Sequence, residues 1–256
     1  MTTVRDVPPS VIVTMAGLGS RFRAAGYTVP KYRVEVHGRT LFAWSMESLR
    51  RFWDRGASAV FVALADDSAG PFIAGQAAEL GIGDHRLIEL AELTDGQATS
   101  ALLGLDGVDD AAPLVVYNID TFVEPQTLDP GDLRDDGWIP CFPGAGDAWS
   151  FVRAEDDGRV LEVREKVRIS PHATVGLYAF GSAGLYRATY EEFYADPANV
   201  ERGERYIAPM YTHMVRAGRR LWMSGVPANA VHPLGTPGEV ESFASAPPPV
   251  PAPGTR

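Results

Sequence analysis

VIVTMAGLGSRFRAAGYTVPKY, residues 11–32, runs from an apolar segment straight into a cationic loop with two closely spaced glycines. The first part, VIVTM (11–15), is short, β-branched and free of charge, which predicts a buried strand. The rest of the chain continues the alternation that this strand opens. TLFAWSMESLRRFWDRG (40–56) has helical periodicity with Gly56 as its stop, and AVFVAL (59–64) is the next strand. A helix is expected around PFIAGQAAELG (71–81), a strand at RLIEL (86–90), a helix at QATSALLGLDGV (97–108) and a fourth, strongly apolar strand at PLVVYNI (113–119). This βαβα order implies one α/β domain with a mostly parallel sheet covered by helices on both faces. Beyond residue 135, WIPCF, WSFVRA, RVLEVRE and ATVGLYAF are closely spaced strand-like stretches, so antiparallel pairs are expected to extend the sheet. Helices over 183–195 and 204–217 and a last strand at RLWMSGV complete the pattern. Residues 1–10 form a lead-in, 11–243 the domain, and 244–256 a Pro-rich tail expected to be disordered.

The composition narrows the function classes. At 45% hydrophobic and 22% charged residues, the 256-residue chain can bury a proper core. Its 33 acidic against 23 basic residues, a formal charge of −10, argue against general nucleic-acid binding. They leave room for one small phosphorylated ligand held by a few local cations. The lone Cys141 excludes an internal disulfide and any multi-Cys zinc site, pointing to the cytoplasm. No apolar run is long enough to span a bilayer, and MTTVRDVPPS lacks an apolar signal core.

In an open α/β sheet, ligands sit beyond the carboxyl ends of the strands, which is where MAGLGSRF falls. Gly17 and Gly19 let backbone N–H groups approach an anion, Arg21 supplies a fork suited to phosphate oxygens, and Lys31 a point charge. A plain strand-to-helix turn with solvated cations has the same composition. A Rossmann dinucleotide loop does not fit, because Phe22 stands at the third glycine position and Pro30 interrupts the following helix. A Walker A loop lacks its Gly-Lys-[Ser/Thr]. What remains besides the turn is a nucleoside-triphosphate loop of another kind.

Gly17-Leu18-Gly19-Ser20-Arg21-Phe22 followed by Pro30-Lys31 resembles the G-x-G-[ST]-R-[LFM]…P-K signature of the sugar-phosphate nucleotidyltransferases. The resemblance runs from about Val11 to Phe243 and is nearest to the members encoded with capsule, lipopolysaccharide or specialised-metabolite clusters. It implies a three-layer, Rossmann-like (GT-A-like) mixed sheet, parallel in its first half. It also implies nucleotide contacts from Ala16, Gly17, Leu18, Gly19, Ser20 and Arg21. Thr94-Asp95-Gly96-Gln97-Ala98 stands where the family places its base-reading loop, so Gly96 and Gln97 join that set. The amide of Gln97 can both donate and accept, as a base edge requires, and Thr94 or Asp95 can cap the helix there. In VVYNIDTF, Asp120 matches the family's Mg²⁺-binding aspartate and Asn118 holds the turn beside it. Glu165-Lys166 and Val175-Gly176-Leu177-Tyr178 match its acceptor elements, with Glu165 accepting from hydroxyls, Lys166 neutralising phosphate and Gly176 admitting the ligand. Glu204, in GERY, is placed at the acceptor or as a helix cap. HPLGTPGEVESF departs from the pattern, because Pro233 stands where many members have a second metal-binding aspartate; either Asp120, phosphates and water alone hold the ion or His232 compensates, and no second metal ligand is assigned. The other histidines, and Phe42, Trp44, Phe52 and Trp53 at helical spacing, are read as structural.

The activity implied is transfer of an NMP group from an NTP to a phosphorylated acceptor, with release of pyrophosphate. Arg21, Lys31, Asp120 and Lys166 would be its catalytic residues and Mg²⁺ its cofactor. The partners implied are the NTP and a small phosphorylated acceptor, with a homodimer as the candidate assembly and neither nucleic acid nor membrane. The shortness of the base-reading loop favours a pyrimidine. Two alternatives stay open: a nucleotide-sugar-dependent glycosyltransferase, although N-I-D stands where that class has D-x-D, and a sensor that binds without turnover.

Overall fold

The first strand, β1 (Ser10–Thr14), shows why its sequence is apolar throughout. Val11 and Val13 enter a core with Phe42, Phe61 and Tyr117, while Ile12 enters another with Val60, Ala101 and Val116. Successive strand residues point to opposite faces, so a strand without polar positions requires both faces to be covered. The computed structural model describes residues 7–249. After β1 come α1 (Ser20–Ala24), the hairpin β2 (Glu35–Val36) and β3 (Arg39–Thr40), α2 (Leu41–Glu47), α3 (Arg50–Trp53) and β4 (Ser58–Leu64). Next are α4 (Gly70–Leu80), β5 (His85–Leu90), α5 (Gln97–Gly104), β6 (Leu114–Asn118), β7 (Thr121–Val123), β8 (Gly137–Pro143), β9 (Ser150–Ala154) and β10 (Val160–Glu165). The remainder is β11 (His172–Thr174), β12 (Leu177–Phe180), α6 (Ala183–Tyr194), α7 (Ala208–Arg216), β13 (Leu221–Gly225), β14 (Val231–Pro233) and α8 (Pro237–Ser245).

Ten strands form one sheet in the order β10-β9-β11-β8-β12-β6-β1-β4-β5, with β13 added alongside β8. β6, β1, β4 and β5 are parallel, whereas β12, β8, β11, β9 and β10 join through antiparallel pairs. The mixed α/β sheet expected from the sequence is therefore present. α2, α3 and α4 supply one core through Phe42, Phe52 and Ile73, and α5, α6 and α7 the other through Ala101, Tyr186 and Met210. Phe42, Trp44, Phe52 and Trp53 are all core residues. Among the described residues, no helix is long and apolar enough to cross a membrane.

Tertiary hydrogen bonds override local periodicity in several places. The helix expected over 40–56 divides, because Leu49 leaves helical geometry (φ −99°, ψ 16°) and Ser48 Oγ turns to accept from the Val123 N–H at 2.9 Å. ATVGLYAF is two strands, β11 and β12, separated at Val175-Gly176, where Gly176 has φ +83°. The helix expected from 204 starts only at Ala208. Arg205 is instead held against the start of α5, its N–H donating to Asp95 O at 2.7 Å and its carbonyl accepting from Ala98 N at 3.0 Å. Glu204 therefore does not cap α7. RLWMSGV is followed by β14 and α8, and α8 includes Ala244 and Ser245. The ends of the expected lead-in and tail, 1–6 and 250–256, lie outside the described residues.

Candidate active site

β4 and β5 succeed β1 on one side, and β6 then returns on the other, so the strand order reverses between β1 and β6. Loops leaving that point diverge and open a crevice at the carboxyl ends of the strands. Thr14 and Asn118 are register partners there. Above them lies a cavity of about 510 Å³, with Gly17, Lys31, Gln97, Asn118, Asp120 and Glu204 among its walls. Residues far apart in the sequence, from the glycine loop, Pro-Lys, the loop over residues 94–97 and NID, thus share one cavity.

The glycine loop ends at Gly19, whose φ of +58° and ψ of 34° lie in the left-handed region, and α1 starts on the next residue. Lys31 packs beside Gly19 from a short 3₁₀ turn over Lys31–Arg33. That turn is fastened from behind: Arg33 Nη2 donates to Asp67 O at 2.7 Å and to Ser68 O at 2.9 Å, and buried Tyr32 donates to Asp67 Oδ2 at 3.2 Å. The Lys31 ammonium reaches Asp120 Oδ2 at 3.0 Å. Arg21 is exposed on α1 and, like Gly19 and Ser20, is outside the cavity wall.

Asp120 stands on a turn whose carbonyls are occupied in succession. Ser45, fully buried on α2, donates to Ile119 O at 3.0 Å; Leu234 N donates to Asp120 O at 2.8 Å; Tyr117 Oη donates to Thr121 O at 2.8 Å. The carboxylate therefore leaves a fixed backbone. Across from it is Gly235, where a β-carbon would stand 3.4 Å from Asp120 Oδ2 and 3.5 Å from Glu239 Oε2. Two carboxylates thus approach one point, beside a cationic loop. The ring of His232 is engaged elsewhere, stacked on Phe122 with centroids 5.4 Å apart and packed against Phe243 at 5.2 Å. Among the described residues, no cluster of three metal-ligating side chains occurs. A hard divalent ion with a triphosphate needs only one or two carboxylates, the rest of its shell being phosphate oxygen and water, and this donor set fits that requirement.

On the opposite wall, Gly96 opens α5 with φ 142°, and a β-carbon there would meet Arg205 O at 2.4 Å and Arg205 N at 2.5 Å. Only glycine lets the loop lie against that backbone. Gln97 donates from its amide nitrogen to Thr14 Oγ1 at 3.3 Å and to Asn118 Oδ1, tying the loop to the ends of β1 and β6. Thr94, Asp95 and Ser100 also line the cavity, and Leu18 and Leu93 stand at it with 46% and 50% exposure.

Glu165, Lys166 and Gly176 lie outside the cavity wall. Glu165 is oriented by Ser150 Oγ, which also contacts the buried Tyr178 hydroxyl at 3.1 Å. Lys166 has φ +50° and places its ammonium 3.4 Å from Glu165 Oε1 and 3.1 Å from Tyr206 Oη. Burial opposes the charge on Lys166, but the Tyr206 hydroxyl and Glu165 carboxylate outweigh it and hold the amine above its ordinary pKa. At Gly176 the close approach is that of Asn118, whose Nδ2 would be 2.9 Å from an added β-carbon. Sequence reasoning missed Ser45 and Ser150; it singled out the GERY stretch that contains Tyr206 but gave a role there only to Glu204.

No protein-family model and no curated protein matches the chain. Solved structures do. A nucleoside-diphosphate-sugar pyrophosphorylase from Vibrio cholerae is 34% identical, with a TM-score of 0.86, over 92% of this chain and all of that one. An inositol-1-phosphate CTP transferase from T. maritima shares the fold at 14% identity and a TM-score of 0.72, covering 91% of each chain. A Bacillus anthracis protein described as a glucose-1-phosphate thymidylyltransferase does so at 16% and 0.74, over 92% of this chain and 94% of its own.

Proposed function

The chain belongs to the sugar-phosphate nucleotidyltransferases, and from that membership and the shape of its cavity we infer that it transfers an NMP group from an NTP to a phosphorylated acceptor. A phosphate oxygen of the acceptor attacks the α-phosphorus in line. The bond from that phosphorus to the bridging oxygen breaks, and pyrophosphate leaves. Phosphate oxygens are nucleophilic at neutral pH, so no side chain has to remove a proton. Catalysis then rests on alignment and on neutralising charge.

The residues divide by position. The backbone around Gly17 and Gly19, with Arg21 and Lys31, would receive the triphosphate, and Gly96 and Gln97 the base. The short loop carrying Gln97 favours a pyrimidine. Asp120 would hold Mg²⁺, with the Glu239 carboxylate facing it across Gly235; the ion supplies charge neutralisation on the phosphates when bound. Glu165 and Lys166 would take the acceptor, Lys166 its phosphate. Glu204, on the cavity wall, would face both ligands. The buried thiol of Cys141 suits a reducing, cytoplasmic setting.

One observation supports this reading above the rest: Lys31 and Asp120, 89 residues apart, meet at 3.0 Å where the glycine loop and the NID turn leave adjacent parallel strands. Incubating the protein with each NTP, Mg²⁺ and a panel of phosphorylated acceptors tests it. Pyrophosphate release with one combination is expected. Transfer of a glycosyl group without pyrophosphate, or nucleotide binding without turnover, would contradict it.

A further inference from the structure

Lys31 and Lys166 are the only lysines in the sequence; every other member of its 23 lysines and arginines is arginine. A chain that otherwise uses guanidinium for positive charge has kept a compact ammonium at these two positions, where three rotatable donors on a flexible stem can follow a phosphate. Such a stem must be held to be effective. Lys31 is held by Asp120. The holder of Lys166 is less obvious, since Glu165 Oε1 is 3.4 Å away and its other oxygen is taken by Ser150.

We propose that Tyr206 is the positioning residue of the acceptor site: its hydroxyl accepts from Lys166, fixing the direction of the remaining N–H for an incoming phosphomonoester. The hydroxyl is 3.1 Å from Nζ, a hydrogen bond with a charged donor. Tyr206 is itself mounted rigidly. Its carbonyl accepts from Tyr194 Oη at 2.6 Å, and its neighbour Arg205 is paired through N–H and carbonyl with Asp95 and Ala98 at the start of α5. Its hydroxyl pKa is raised, by burial first and then by the Glu204 carboxylate beside it. The φ of +50° at Lys166 is disfavoured for a residue with a β-carbon, and surrounding contacts must maintain it. The two stretches singled out in the sequence, Glu165-Lys166 and Glu204, are thereby joined through a residue between them in space.

This proposal rests on Lys166 facing the acceptor phosphate, and the experiment separates the two claims. With only two lysines, protein grown on [ε-¹³C]lysine gives two side-chain resonances, assigned with Lys31→Arg and Lys166→Arg. Each is followed against pH and against added inorganic phosphate in wild type and in Tyr206→Phe, which keeps the ring and removes the hydroxyl. The Lys166 midpoint should fall in Tyr206→Phe, because burial then acts on the amine with less opposition, while the Lys31 resonance and the melting temperature stay in place. The phosphate response of Lys166 should weaken about tenfold. An unchanged Lys166 midpoint, or an unchanged phosphate affinity, overturns the positioning role. A Lys166 resonance that ignores phosphate in the wild type overturns the acceptor reading itself, and the proposal falls with it.

Discussion

At the scale of single residues, function and stability part company. The Lys31–Asp120 pair has side chains 16% and 32% exposed, and such pairs contribute at most about 1 kcal/mol to folding. Lys31→Ala is therefore expected to melt within about 3 °C of wild type. Pyrophosphate release should fall by at least about a hundredfold, because a charge that meets the transferring phosphate is lost. Full turnover in that variant would remove Lys31 from the reaction. Gly96→Ala should behave in the opposite way. Its new β-carbon would collide with the Arg205 backbone at 2.4 Å, so a loss of about 2 kcal/mol or more in denaturant unfolding is expected, together with loss of nucleotide binding. A wild-type unfolding curve for Gly96→Ala would contradict the contact. Lys31 and Gly96 could be found in the sequence because each sits in a contiguous motif. Ser45 could not, since its partner is 74 positions away and a serine announces no role; Tyr206 stands in the matched GERY stretch, but its partner is 40 positions away and its role shows only in the folded chain.

Elements were legible wherever a local signal sufficed. β1, β4 and β6 are apolar runs and α4 and α6 are periodic, so their positions follow from the sequence alone. The misplaced boundaries are those set by distant partners: Ser48 turning to Val123, or Arg205 held against Asp95 and Ala98. The pair β7–β14 was invisible for the same reason, being three residues on each side. It carries a titration prediction. Burial holds His232 below its ordinary pKa, with Glu124 opposing, and its Nε2 is buried without a partner. The unfolded chain then takes up the proton first. Stability from His232 is complete above the free imidazole value of about 6.5 and is lost as pH falls through it toward the lower folded value. The melting temperature of wild type should drop below that pH more than the melting temperature of His232→Phe, whose ring can keep the stack on Phe122. Parallel pH profiles would show that His232 charges freely in the folded protein.

At the scale of the molecule, the sheet's order reversal brings the glycine loop, the NID turn and the loop before α5 to one cavity. The parallel half of the fold was predictable from βαβα alternation, and the cavity's place from the rule for such sheets. Which acceptor it takes was not, because the walls around Lys166 come from β9, β10 and the 201–206 segment, joined only in the folded chain. Binding at this cavity should stabilise the whole domain. A nucleotide at about a hundred times its Kd, with Mg²⁺, should raise the melting temperature by about 5–10 °C, and the wrong NTPs or omission of Mg²⁺ should not. The central claim is that the early glycine loop and Lys31 receive the triphosphate while Asp120 presents the divalent ion. A crystal grown with the stabilising NTP and Mn²⁺, measured for manganese anomalous scattering, tests it directly. The account predicts a peak at the Asp120 carboxylate with the triphosphate lying along Gly17 to Gly19; a peak elsewhere, or phosphates away from that loop, contradicts it.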